Sequence, residues 1–223
     1  MITVALCVTA GNWQHRRMLE KEALRAAIAA AAAAPAAPMP ASVSDWRDWR
    51  FRRVTAIGTF DAGHQILIDN VVRAGRAGFS VVTPFVLDDG RRVLVDRGWT
   101  AGTGSRAVLP SPAVPQSTLT LAGRIDIPSQ HYLELGAAAA PSGTLWQHLD
   151  PERFSQSTGM AVLPVVLRLL DTGGDGLVPD DALPDTGVER HASYMVQWYA
   201  FAALAAGFWA WFAVRPWLAT RRQ

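Results

Sequence analysis

Residues 194–214 read YMVQWYAFAALAAGFWAWFAV, a run with no charged side chain and with Gln197 as its most polar member. At about 1.5 Å of rise per residue, a helix of this length covers about 30 Å, the thickness of a bilayer's hydrocarbon core. The pattern therefore predicts a transmembrane helix within residues 191–217. Trp198 and Tyr199 near its start, and Trp209, Trp211 and Trp217 near its end, put aromatic rings at both candidate interfaces. The tail beyond it carries Arg215, Arg221 and Arg222 and no acid, so the positive-inside rule puts residues 218–223 in the cytoplasm. At the other end, residues 1–11 form an apolar run too short to span, which reads as the back half of a first span reaching to residue 17 and truncated at its front. Residues 18–34 continue as a helix ending in an almost pure Ala run. Pro35, Pro38 and Pro40 then make a flexible Ala/Pro linker that closes at residue 40.

Between the linker and the second span the pattern changes to short β segments. Residues 52–60, 65–72, 79–87, 92–99 and 118–125 are dominated by Val, Ile, Leu, Thr and Phe and are separated by Gly, Asp, Asn or Pro. The clearest hairpin covers residues 81–95, turning at Asp88, Asp89 and Gly90. No helical pattern of ten residues intervenes, so a parallel βαβ sheet is excluded in favour of antiparallel pairing. A short strand follows at 143–148, with Trp146, then a short helix at 150–157 and a strand at 161–170. The Gly-, Asp- and Pro-rich stretch 171–187 reads as a long loop leading back to the membrane. The predicted fold class is a membrane-anchored α+β protein, in which two spans flank an antiparallel β-barrel-like domain at 41–190.

Composition narrows the chemistry. The chain has 223 residues, and 21 Lys and Arg against 19 Asp and Glu leave a net charge of +2, too small and too scattered for a nucleic-acid footprint. A single cysteine, Cys7, excludes an internal disulfide and paired-thiol redox chemistry, and its place in the first span suits a small apolar packing residue. No nucleophile has a recognisable base: Thr103-Gly104-Ser105 lacks the elbow spacing, and Asp88 and Asp89 are adjacent on a turn and diverge. Gly75-Arg76-Ala77-Gly78 lacks the ending and the helix of a phosphate loop. These absences argue against an enzyme.

Several local patterns, in order along nearly the whole chain, resemble the surfeit locus proteins, which assist assembly of cytochrome c oxidase. They are Gly11-Asn12-Trp13-Gln14 with Arg17 and Lys21; Gly58-Thr59-Phe60-Asp61; Thr83-Pro84-Phe85; Gly90 with the run Val93-Leu94-Val95-Asp96-Arg97-Gly98-Trp99; and His191, Ser193, Tyr194, Gln197 and Trp198 where the chain returns to the membrane. The resemblance implies a non-enzymatic, multi-pass protein of the bacterial inner membrane with its main domain on the periplasmic side. It implies involvement with heme a on its way to oxidase subunit I, and as partners that subunit, heme a synthase and membrane lipid.

The candidate site follows from His191. A neutral imidazole is a common axial ligand of heme iron, and this one stands at the membrane edge. On a helix Tyr194, Met195 and Trp198 lie three, four and seven residues on, so that with Gln197 beside them they could wall a porphyrin. The alternative is an interfacial histidine that only anchors the helix. Of the other histidines, His15, His64, His131 and His148, only His15 is placed to partner His191. Arg97 suits either a propionate or a structural ion pair, and Trp99 and Trp146 suit either a ligand wall or the core. A second reading of a different class is a scaffold that stabilises an oxidase assembly intermediate by protein contacts without touching heme.

Overall fold

The computed structural model describes residues 2–102, 108–128, 143–171 and 175–220. His131, Thr103-Gly104-Ser105, Arg221 and Arg222 lie outside the described residues. The chain divides into two compact units, one formed by residues 30–182 and the other by residues 1–29 with 183–223.

In the first unit the eight strands among the described residues are β1 (Ala37–Pro38), β2 (Arg53–Phe60), β3 (Ile66–Arg73), β4 (Arg76–Leu87), β5 (Arg92–Ala101), β6 (Leu119–Asp126), β7 (Leu145–Trp146) and β8 (Val166–Leu169). Pairing runs β1-β2-β6-β8-β5-β4-β3-β7, and an additional β2–β4 ladder joins two strands that are far apart in that order. Strands β2, β6, β8, β5 and β4 thus form a closed ring. Most ladders are antiparallel, as the hairpin pattern predicts, but β5 and β8 run parallel. Parity requires it, because five strands cannot alternate direction around a closed ring. β1–β2 and β3–β7 are parallel as well. A purely antiparallel domain is therefore corrected to a mixed sheet. The segment expected as flexible linker also supplies β1, whose Ala37 and Pro38 pair with Val54 and Thr55.

The ring's core explains the sequence pattern. On β2 the buried positions are Val54, Ala56, Gly58 and Phe60, every second residue, whereas Ile57 between them is exposed. Val54, Phe60, Phe85, Val93, Val95, Ile125 and Leu167 meet inside. β4 and β5 read as unbroken apolar runs because their other face is covered too, by a second cluster of Ile66, Ile68, Val82, Leu94, Trp146, Phe154 and Val166. Phe154 arrives on helix α2 (Pro151–Thr158), which starts on an Asp150 side chain accepting from the Glu152 and Arg153 amides and stops at Gly159 in the left-handed region. Gly58 permits closure, since a Cβ there would stand 2.0 Å from the Val86 carbonyl oxygen.

The second unit is helical. Helix α1 (Ile2–Ala33) runs unbroken through both the apolar start and the Ala run, and α3 (Val188–Thr220) contains the whole of residues 194–214. Among the described residues, no helix is long and apolar enough to cross a membrane. In α1 the cause is charge, from Arg16 to Arg25. In α3 it is Gln197 together with Trp and Tyr rings, which a hydropathy index scores as weakly polar.

Candidate functional site

The helical unit is built inside out. On α1 the buried residues are Cys7, Gly11, Gln14 and Ile28, and on α3 they are Val188 and Ala202, with His191, Met195 and Trp198 half-buried on the same stripe. Spacings of three, four and seven place each set on one helix face. The large apolar side chains point away from it: Leu6, Trp13, Tyr194, Val196, Leu204, Phe208, Trp211 and Phe212 are all exposed.

What meets across the pair is polar. Gln14 Oε1 lies 2.7 Å from His191 Nδ1. One turn along, His15 Nδ1 lies 3.1 Å from Met195 Sδ. Tyr199 donates its hydroxyl to Asn12 Oδ1 at 2.8 Å, and Arg25 pairs with Glu189 at 2.7 Å. Contacts run from Asn12 with Tyr199, through His15 with Met195, to Arg25 with Glu189, so the helices are antiparallel. Gly11 sits where a Cβ would come within 2.6 Å of the Tyr199 ring, a close approach of the kind small residues permit between helices. Glu189's carboxyl is held below the usual range by its own helix-start amide and by the Arg25 guanidinium.

Of the residues expected around His191, the structure brings Met195 and Trp198 onto its stripe, while Tyr194 and Gln197 are exposed and lie off it. Trp198 packs edge-on against Phe201 at 6.1 Å between ring centres. His15 does reach the same seam, through Met195. The residues present fit an axial imidazole: His191 is half-buried, its Nδ1 is engaged, and Nε2 is the ring's remaining polar atom, on a helix stripe shared with Met195 and Trp198. Sequence reasoning missed Gln14 as the partner of His191. The signal was there, because Gln14 stands seven residues after Cys7 and three after Gly11, on their face.

In the β unit the polar groups singled out from the sequence find partners within the unit. The Arg97 side chain, 1% exposed, pairs with Asp175 at 2.6 Å, donates to Gln65 Oε1 and the Ala113 carbonyl, and lies over the Phe60 ring. It is a structural ion pair, and the propionate role is withdrawn. Trp146 belongs to the core, and Trp99 donates its indole N–H to the Val71 carbonyl. A cleft of about 240 Å³ beside Trp99 contains Asp96, Arg168 and Asp180. Burial pushes the Asp96 carboxyl above its usual range against the pull of Arg168, the Ser80 hydroxyl and the Gly98 amide. Burial opposes the Arg168 charge, yet Asp96, Asp126 and Asp180 outweigh it and raise that pKa. Asp96 accepts from Ser80 at 2.6 Å and from Arg168 at 3.0 Å, so the ionised pair is the form this geometry holds.

Comparison with known proteins shows the family. The model of the SURF1 family matches residues 1–203, taking in α1, the ring and α3 as far as Ala203. The chain belongs to the SURF1 family. SURF1-like proteins of Mycobacterium bovis and of two strains of Mycobacterium tuberculosis are each 29% identical to it over 175 residues, 78% of this chain. The chain spans 64% of the length of those SURF1-like relatives.

Proposed function

We propose that this chain is a non-enzymatic assembly factor for cytochrome c oxidase, which holds or hands over heme a during maturation of subunit I with His191 as an axial ligand. The observation that carries the reading is the seam of the helical unit, where an imidazole is held among polar partners while the outer faces along residues 2–13 and 194–212 are dominated by apolar side chains. That polarity is the reverse of a water-soluble helix pair and matches helices embedded in lipid, whose contacts are small and polar inside and apolar outside. Both helices are read as anchors in the bacterial inner membrane, with the β unit on the periplasmic side. Bound heme would supply an iron centre with an open coordination position for the His191 Nε2 lone pair. Met195 and Trp198 would give apolar surface to the ring, and membership of the SURF1 family supports the choice of oxidase as the assembly served.

The full-length protein, purified in detergent from cells that make heme a, should carry a heme spectrum. His191→Ala should lose heme at unchanged protein level, and Trp198→Ala should lose less, because it removes packing area and not a coordinate bond. Equal heme in His191→Ala and the parent would end the ligand reading and favour the scaffold, in which the exposed Phe208, Trp211 and Phe212 contact partner proteins.

A further inference from the structure

The Gln14 side chain is only 9% exposed, on a helix face whose other buried positions are Cys7, Gly11 and Ile28. Burying an amide among such residues is unfavourable unless it finds a partner. Its partner lies on the other helix: Gln14 Oε1 is 2.7 Å from His191 Nδ1. An amide oxygen only accepts hydrogen bonds, so the ring must donate Nδ1–H. A neutral imidazole has one N–H, which leaves the Nε2 lone pair uncommitted.

We propose that Gln14 is the positioning residue for His191, fixing the Nδ1–H tautomer and the ring orientation so that Nε2 is presented as the iron-binding atom. The proposal rests on the reading of His191 as a heme ligand. It gives α1 a definite part in the site, because ligand presentation then depends on both helices. Two other contacts hold the register in which Gln14 meets His191. Tyr199 seats on Gly11 and bonds Asn12, and Arg25 pairs with Glu189. His15 does not compete for the amide, since its Nδ1 is turned to Met195 Sδ. A partner on the distal nitrogen also makes an imidazole more basic, and removing such a partner commonly weakens metal binding by roughly 10- to 100-fold.

The test uses the full-length chain in detergent, labelled with ¹⁵N-histidine, as parent, Gln14→Leu and Gln14→Glu. Both substitutions keep a good helix former, and Leu suits the apolar stripe. Without heme, the His191 ring nitrogens should report Nδ1–H in the parent and in Gln14→Glu, and a shift toward Nε2–H in Gln14→Leu. With heme a added, Gln14→Leu should bind roughly tenfold or more weakly. Gln14→Glu should restore binding and lower the iron reduction potential, since a carboxylate acceptor draws the ring toward imidazolate. A parent found as Nε2–H, or a tautomer unmoved by Gln14→Leu, would overturn the proposal even if heme binds. A parent that takes up no heme, with the tautomers as expected, would instead sink the ligand reading on which it rests.

Discussion

Replacing Gly58 by Ala should open the ring. Gly58 pairs with Leu87 where β2 closes onto β4, and the added methyl carbon would sit 2.0 Å from the Val86 carbonyl oxygen and 2.9 Å from the Phe85 ring. Non-bonded heavy atoms rest at about 3.5 Å, so the strands must part by more than ~1 Å. The obstacle is backbone, with no side chain free to swing aside. Overpacking of this kind costs about 1–3 kcal/mol. Parting the strands also strains two hydrogen bonds beside the closure, Asp88 N–H to the Ile57 carbonyl at 3.0 Å and Asp61 N–H to the Pro84 carbonyl at 2.8 Å. Each contributes about 1 kcal/mol. The sum, about 3–5 kcal/mol, is a large part of the 5–15 kcal/mol that typically holds a domain folded.

Two other glycines calibrate the effect. At Gly63 the nearest atom to an added Cβ is the Asp61 side-chain oxygen at 3.4 Å, so Gly63→Ala should change stability by less than ~0.5 kcal/mol. Gly90 has open space but a φ of 84°, so Gly90→Ala should cost about 1–2 kcal/mol through backbone strain alone. Pulse proteolysis of the full-length protein across a urea series would rank the three. The reasoning fails if the midpoint of Gly58→Ala lies with that of Gly63→Ala, because closure would then be looser than the β2–β4 ladder requires.

Asp175→Asn, which strands the buried Arg97 guanidinium, should cost about 3–5 kcal/mol, and Arg97→Met in the same chain should recover part of it; urea midpoints that simply add for the double variant would refute this coupling. Asp96 gives a pH signature: a carboxyl whose pKa is raised on folding takes up a proton, so its effect on stability improves as pH falls through the folded pKa and levels off below the unfolded value of about 3.9. The stability gap between parent and Asp96→Asn should therefore shift in the parent's favour from pH 7 toward pH 4, and a shift the other way in denaturation midpoints would show that the ion pair with Arg168 dominates over burial. The heme content of His191→Ala and the ring tautomer in Gln14→Leu complete the set.

The β unit was legible because its signals are local. Alternation along residues 53–60, the Asp88-Asp89-Gly90 turn and the Asp150-Pro151 helix start are each written within a few residues. The barrel-like expectation meets a closed ring, but the parallel β5–β8 pair was not legible, since it depends on Gly123 to Asp126 and Leu94 to Asp96 meeting β8 from opposite sides after long excursions of chain. Arg97 illustrates the same limit. Its type suits a carboxylate of any origin, and only the fold shows that Asp175, 78 residues away, is the one it meets. In the helical unit, counting from His191 puts Met195 on its stripe, but Tyr194, one residue earlier, lies about 100° away around the helix and is exposed.

Average hydropathy and arrangement give different views of α3, and the arrangement bears more directly on function. An average counts Gln197 and every Trp and Tyr against a span wherever they point. A bilayer responds to what the outer surface presents, at the depth where it presents it. Around the middle of α3 that surface is Val196, Leu204 and Phe208, each more than half exposed, while the small residue Ala202 is turned inward. Toward the end the outward side chains are Trp209, Trp211 and Phe212, types suited to a lipid headgroup region. The polar atoms of Gln14, Asn12 and His15 find partners on α3. Water would compete for those contacts and leave the apolar outer face of α3 uncovered, whereas lipid would favour both features together. The same logic makes a half-buried His191 costly to hold without a partner, and the Gln14 amide oxygen, 2.7 Å from its Nδ1, supplies one.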